Sequence, residues 1–352
     1  MRHKKITCVV AFAAAALFSV MLSGCGKKAE NTNILKGMEL LEQYDYQTAL
    51  ESFEAAIVYK EDDQLLYRGE GLAYMGLGNY EEAKNAFLTS LSYAGRGLTQ
   101  LEYDTNYYLA AAHMKLGEYS DAEQIYTAII GLRKKEVDAY YLRACVFLKE
   151  NRYEDAIADF EKAFSLEPDN LELVIDAYAE MQAAGYTEEG KVYLSELMEN
   201  KEKSLKDSEK GMIYYYLEDY DNARIYLDSS LNGNSAETSL ILGKTYEQLG
   251  DMNYAAVVYQ TYLGANPPDA AIYNSLGICL MKQEKYSEAL DAFEAGAELG
   301  DTGYLQELKY NLIVVNERLG NFASAKTMMD EYISTYPDDA DAKREADFLS
   351  TR

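Results

Sequence analysis

An all-α solenoid, built from two-helix units stacked in one dimension, is the fold class this sequence predicts. Three observations predict it. Only four prolines occur in 352 residues, and none interrupts a helical pattern. A small residue recurs at Ala49, Ala83, Ala122, Ala156, Gly190, Ala223, Ala255, Ala289 and Ala325, most often 34 residues apart. Further small and aromatic columns keep step with it at helical intervals. A unit of this kind cannot bury its apolar face alone, so stability comes from its neighbours.

In chain order, the first element is a leader. MRHKK is basic, and Ile6 to Leu22 is an apolar run somewhat short for a membrane-spanning helix. It ends Leu22-Ser23-Gly24-Cys25, which resembles the bacterial lipobox. That resemblance implies removal of residues 1–24 and acylation of Cys25, with residues 25–33 as the lipidated cysteine and a polar tether. An uncleaved membrane anchor is the other reading of the run, and either would hold the rest of the chain outside the cytoplasm. Two or three acyl chains anchor stably, where one is marginal.

The array follows over residues 34–338. The small residue of each first helix is Gly37, Gly71, Ala110, Ala144, Gly211, Gly243 or Gly277. The aromatic after the turn is Tyr46, Tyr80, Tyr119, Tyr153, Tyr220, Tyr286 or Phe322, and the bulky residue of the second helix is Phe53, Phe87, Tyr126, Phe160, Tyr259 or Phe293. Gly78, Gly117, Gly185, Gly250 and Gly320 occupy the inter-helix turns, where a left-handed residue ends a helix. Pro168, Pro267 and Pro337 close second helices.

These columns resemble the tetratricopeptide repeat. The resemblance implies about nine helix-turn-helix units wound into a right-handed superhelical α-solenoid. Residues 339–352 resemble a polar-faced capping helix and tail, with Ala342, Ala346 and Leu349 inward.

Three places depart from the pattern. Extra residues in Tyr93 to Gln100 predict a longer loop before the third unit. The fifth unit carries Tyr178 where its siblings have a small residue and Gly190 where they have alanine, and a charged stretch follows at Met198 to Glu209. A softer junction near residues 195–210, or ordinary repeat degeneracy, accounts for both.

Composition excludes several functions. Acidic residues outnumber basic ones 59 to 33, so the overall field repels nucleic-acid phosphates and anionic lipid headgroups, and no nucleic-acid role is expected. Beyond the leader, His113 is the only histidine and stands in an aromatic column, where it reads as a packed core residue. Cys145 and Cys279 lie four repeats apart, beyond the roughly 7 Å reach of a disulfide, and read as small buried hydrophobes. No metal-ligand set, cofactor motif or acid–base pair is expected, and none of the residues is assigned a catalytic role. Paired carboxylates such as Asp62-Asp63 stand at repeat boundaries, where they cap helices.

The family resemblance further implies a concave groove lined by the first helices, holding a protein or peptide. One turn from the small column it places Arg68, Tyr107, Tyr108, Met114, Tyr141, Lys149, Tyr215, Lys244, Asn274, Tyr310 and Asn311. A Lys-and-Asn carboxylate clamp is not expected, since Leu72, Ala111 and Cys145 occupy its places. The sequence therefore predicts a lipid-anchored, extracytoplasmic protein-binding scaffold at a bacterial envelope. A glycan-binding or polysaccharide-export accessory is the alternative, with tyrosines stacking on sugar rings.

Overall fold

A computed structural model describes residues 31–95, 98–230, 235–300, 303–337 and 339–350. All regular structure among them is helical, in nineteen helices. The leader, Cys25 and most of the tether lie outside the described residues. The helices pair in chain order: α1 (Thr32–Glu42) with α2 (Tyr46–Tyr59), α3 (Asp63–Gly76) with α4 (Tyr80–Ser92), and α5 (Gln100–Leu116) with α6 (Tyr119–Leu132). Next come α7 (Val137–Lys149) with α8 (Tyr153–Leu166), and α9 (Leu171–Ala183) with α10 (Thr187–Lys201). Beyond them are α11 (Asp207–Tyr216) with α12 (Tyr220–Ser229), α13 (Ala236–Gln248) with α14 (Met252–Ala265), and α15 (Ala270–Lys282) with α16 (Tyr286–Glu298). The last pair is α17 (Leu305–Arg318) with α18 (Phe322–Thr335), and α19 (Ala340–Leu349) closes the chain.

The periodic columns define these helices because they are the contact surfaces. Phe53, Phe87, Tyr259 and Phe293 are buried in the places the small column vacates. A Cβ added at Gly37, Gly71, Gly243 or Gly277 would stand 2.5, 2.4, 2.2 or 2.3 Å from those rings. No side chain fits at such distances, so the ring and the missing Cβ are one contact.

All nine intra-unit turns share one feature: the residue two before the second helix is left-handed. Glycine supplies it at Gly78, Gly117, Gly185, Gly250 and Gly320, with φ between 77° and 93°. Tyr44, Asn151, Glu218 and Glu284 adopt the same conformation at φ of 59–65° without glycine's freedom.

The chain forms two compact units, one reaching Gly190 and one running from Lys191 to Arg352. The division falls inside α10, ahead of the stretch 195–210, of which residues up to Lys201 are helical. In the first unit, Ile34, Phe53, Leu66, Phe87 and Tyr108 share a core spanning α1 to α5. Tyr103, Tyr126, Ile129 and Val146 continue it through α7. First helices also touch along the stack, α1 with α3 and α3 with α5. In the second unit the same relation joins α11 with α13, α13 with α15, and α15 with α17.

The array begins earlier than the spacing predicts, because Thr32 and Asn33 already belong to α1. Glu61 accounts for this: its Oε1 accepts from the Asn33 N–H at 3.0 Å and from Asn33 Nδ2 at 2.7 Å, and its Oε2 from the Ile34 N–H at 2.9 Å. The carboxylate satisfies helix-start donors of a different helix. At the other end Ala342 and Leu349 of α19 are buried and Asp341, Lys343, Arg344 and Asp347 face solvent. Asp339 caps that helix, accepting from the Asp341 and Ala342 N–H groups at 3.1 and 3.0 Å.

Candidate functional site

The small column fixes the register of every first helix, and five of the expected site residues stand three places before it. In the first unit these are Arg68 before Gly71, Tyr107 before Ala110 and Tyr141 before Ala144. In the second they are Asn274 before Gly277 and Tyr310 before Ile313, a large residue where the column's small one would fall. One position on successive helices of a stack makes one line of side chains.

Arg68 is the least expected of them, at 2% exposure. Its guanidinium lies 5.4 Å from the centre of the Tyr108 ring. Nε and Nη1 are buried and meet no acceptor among the described residues. Burial draws its pKa below the ordinary arginine value, and Tyr108 and Asp104 oppose that drift. On the next first helix the Tyr107 hydroxyl is likewise buried and unpartnered. Burial, reinforced by the Glu136 and Asp138 charges, raises its pKa above the ordinary phenol value.

The tyrosine cluster needs correcting. Tyr108, expected on an open face, is buried in the core and stacked on Phe87 at 5.8 Å. Tyr215 is also buried, edge-on to Tyr216 and Tyr220 at 5.4 and 5.9 Å. Adjacent positions on a helix point about 100° apart, so Tyr107 and Tyr108 cannot share a face. Tyr107 and Tyr141 are half-buried, each tilted on its own unit's bulky aromatic: Tyr126 at 6.1 Å and Phe160 at 5.8 Å. They are not the coplanar exposed rings that sugar stacking requires.

Of the remaining expected residues, Met114 is half-buried against the α5–α7 core, Lys149 is exposed and Lys244 is half-buried. Asn274 is buried, and its Oδ1 accepts from Asn311 Nδ2 at 2.8 Å. That carboxamide pair bridges α15 and α17, a link no spacing announces.

The His113 side chain is largely buried, as its column implies, but it has a polar partner. Its Nδ1 lies 2.6 Å from Glu118 Oε2, across the α5–α6 turn. With Asp121 these two offer three ligand atoms within 4.8 Å of one another, the one grouping of potential metal ligands among the described residues. Lys84 already places an ammonium 2.9 Å from the other Glu118 oxygen, so the carboxylate has its counter-charge. Cys145 and Cys279 are buried thiols, and the Cys279 thiol donates to the Met252 carbonyl at 3.2 Å.

Fold and site together define a helical-repeat protein whose buried polar side chains lie mostly on the first helices. Family models of the tetratricopeptide repeat match residues 34–91, 68–139, 137–170, 242–303 and 307–339. The chain belongs to the tetratricopeptide repeat family. It is 28% identical over 153 residues to FK506-binding protein 59 of Drosophila melanogaster, covering 44% of this chain and 31% of that protein. It is 23% identical over 265 residues to the TPR repeat-containing protein MJ1428 of Methanocaldococcus jannaschii, covering 73% and 40%. The chain thus spans less than half the length of either relative. A tetratricopeptide repeat protein structure from Parabacteroides merdae aligns at 16% identity and TM-score 0.45, covering 81% of this chain and 97% of that one.

Proposed function

We propose that this chain is an extracytoplasmic scaffold, anchored by lipid at Cys25 to a bacterial membrane, that holds a protein or peptide on its first-helix face. One observation carries the recognition half. Arg68 and Tyr107 occupy the same register on the packed helices α3 and α5, and both hold buried polar atoms with no acceptor among the described residues. Unmet buried donors are costly, and a carbonyl or carboxylate brought by a partner would satisfy them. The half-buried rings of Tyr107 and Tyr141 supply amphipathic contact area beside them.

The anchoring half rests on the basic segment, apolar run and lipobox of residues 1–25. Metabolic labelling with an alkyne fatty acid should mark the wild-type chain and leave Cys25→Ser unmarked. Label on the Cys25→Ser chain would overturn this half.

Recognition is tested by photo-crosslinking in intact cells, with a benzophenone amino acid replacing Tyr141. The expected product is a discrete protein adduct, lost when Arg68→Met and Tyr107→Phe are added and the melting curve is retained. An adduct that survives both substitutions would place the partner elsewhere. Retention on cell-wall glycan without any protein adduct would move the reading to the glycan-binding alternative.

A further inference from the structure

Second helices in a repeat stack end along a common edge, and in the first compact unit that edge has an unusual composition. Tyr59, Tyr93 and Leu132 each stand ten residues after the alanine that opens their helix: Ala49, Ala83 and Ala122. The spacing puts all three at the carboxyl ends of α2, α4 and α6. They are 69%, 50% and 59% exposed, and Val58 beside Tyr59 is 77% exposed. Three apolar residues at one register, in consecutive units, are not the scattered singles of an ordinary surface.

Cations accompany this row on a chain with 59 acidic residues against 33 basic. Lys60 follows Tyr59, and Lys134 and Lys135 follow Leu132 and Arg133. All three lysines are exposed and make no ion pair among the described residues. Asp63 is exposed, but three other neighbouring acids are engaged elsewhere. Glu61 is turned inward onto the start of α1, Asp62 accepts from the Leu65 N–H at 3.2 Å, and Glu136 faces Arg133 at 3.6 Å. Exposed tyrosine and aliphatic side chains beside lysines are the composition of a surface resting at a lipid interface.

The start of the array lies at the same edge. Asn31 Oδ1 accepts from the Asp62 N–H at 3.2 Å, and Asn33 donates to Glu61, so the chain enters beside Val58–Lys60. Five residues separate Cys25 from Asn31, a span of roughly 20 Å at most. From these observations we infer that the edge formed by the ends of α2, α4 and α6 is a membrane-contact surface. Val58, Tyr59, Tyr93 and Leu132 enter the interface of an anionic bilayer, and Lys60, Lys134 and Lys135 meet its phosphates. The lipid on Cys25 then supplies attachment and the edge supplies orientation. This inference rests on the anchored reading of the chain.

The test keeps the two readings apart. The chain from residue 26 onward, carrying an amino-terminal hexahistidine tag, is tethered to nickel-lipid vesicles rich in phosphatidylglycerol. The tag replaces the acyl anchor, so the edge is measured whether or not Cys25 is acylated. An environment-sensitive fluorophore is placed at Val58→Cys, or at Asn79→Cys in the exposed α3–α4 turn. The expected result is a blue shift at position 58, quenching there by lipid-borne spin labels, and neither effect at position 79. Without the tag, Lys60→Glu, Lys134→Glu and Lys135→Glu together should weaken vesicle binding at least roughly tenfold.

A fluorophore at position 58 that stays as wet as the one at 79 would overturn the inference and leave the acyl anchor untouched. So would a position 58 already dry without vesicles, which would mean that protein, a second copy included, covers the edge.

Discussion

Gly190 lies directly against Tyr178: a Cβ added at Gly190 would stand 3.0 Å from Tyr178 Cδ2. In the units built on Gly37, Gly71, Gly243 and Gly277 the bulky residue sits on the second helix and the space on the first. Here Tyr178 is the bulky residue, buried on α9, and the space is on α10. The two departures that singled out the fifth unit are therefore two halves of one exchange. Gly190→Ala should destabilise, because overpacking costs about 1–3 kcal/mol against a helix gain of about 0.5–1 kcal/mol. In a Tyr178→Ala background the obstruction is gone, and the same substitution should stabilise. Denaturant midpoints of the four variants decide this, and no change of sign between backgrounds would sink the exchange.

The left-handed turns carry an uneven strain. Glu284 holds φ 60° where five sister turns have glycine. Glu284→Gly should raise stability by about 0.5–1 kcal/mol, and Gly250→Ala should lower it by about 1 kcal/mol. Thermal melts of the two variants check both directions. A lower midpoint for Glu284→Gly would contradict the argument.

Arg68 carries a stability cost in its buried, unmet donors. Methionine is three heavy atoms shorter, so it leaves part of the guanidinium's buried space unfilled, but it also leaves no buried N–H unmet. Removing the unmet donors should stabilise Arg68→Met by about 1–3 kcal/mol, less the cost of the unfilled space and whatever the ring–guanidinium contact supplies. The same variant should lose the photo-crosslinked partner. A destabilised Arg68→Met protein would mean that the packing and contacts of the guanidinium outweigh its unmet donors.

The C-terminal cap should respond to pH. Burial, then the neighbouring Glu345, pushes the Glu317 carboxyl up to about 7 from its ordinary 4.5. Between those values the folded chain keeps a proton that the unfolded chain has released, so stability falls as pH rises. The loss is complete above about pH 7. Melting temperature should decline from pH 5 to pH 8, and Glu317→Gln should flatten that decline. An equal slope in both proteins would remove Glu317 as the cause.

Repeat number, helix order and the pairing of small with aromatic columns were legible in the sequence. The same contact recurs in unit after unit, and a repeated contact prints itself as a period. The glycine turns were legible for the same reason. Tyr44, Asn151, Glu218 and Glu284 hid in that column, since backbone strain leaves no mark on side-chain pattern. Tertiary structure alone decided which residues of the expected face are available. Tyr107 and Tyr108 are neighbours in sequence, yet the half-buried Tyr107 packs on Tyr126 of the next core layer and the buried Tyr108 on Phe87. Only the packed neighbour helix distinguishes them. It likewise showed that Arg68 is buried without acceptors and that Asn274 and Asn311 join across two units. Spacing determines which residues share a helix face, while burial and unmet hydrogen bonds depend on atoms that other helices bring.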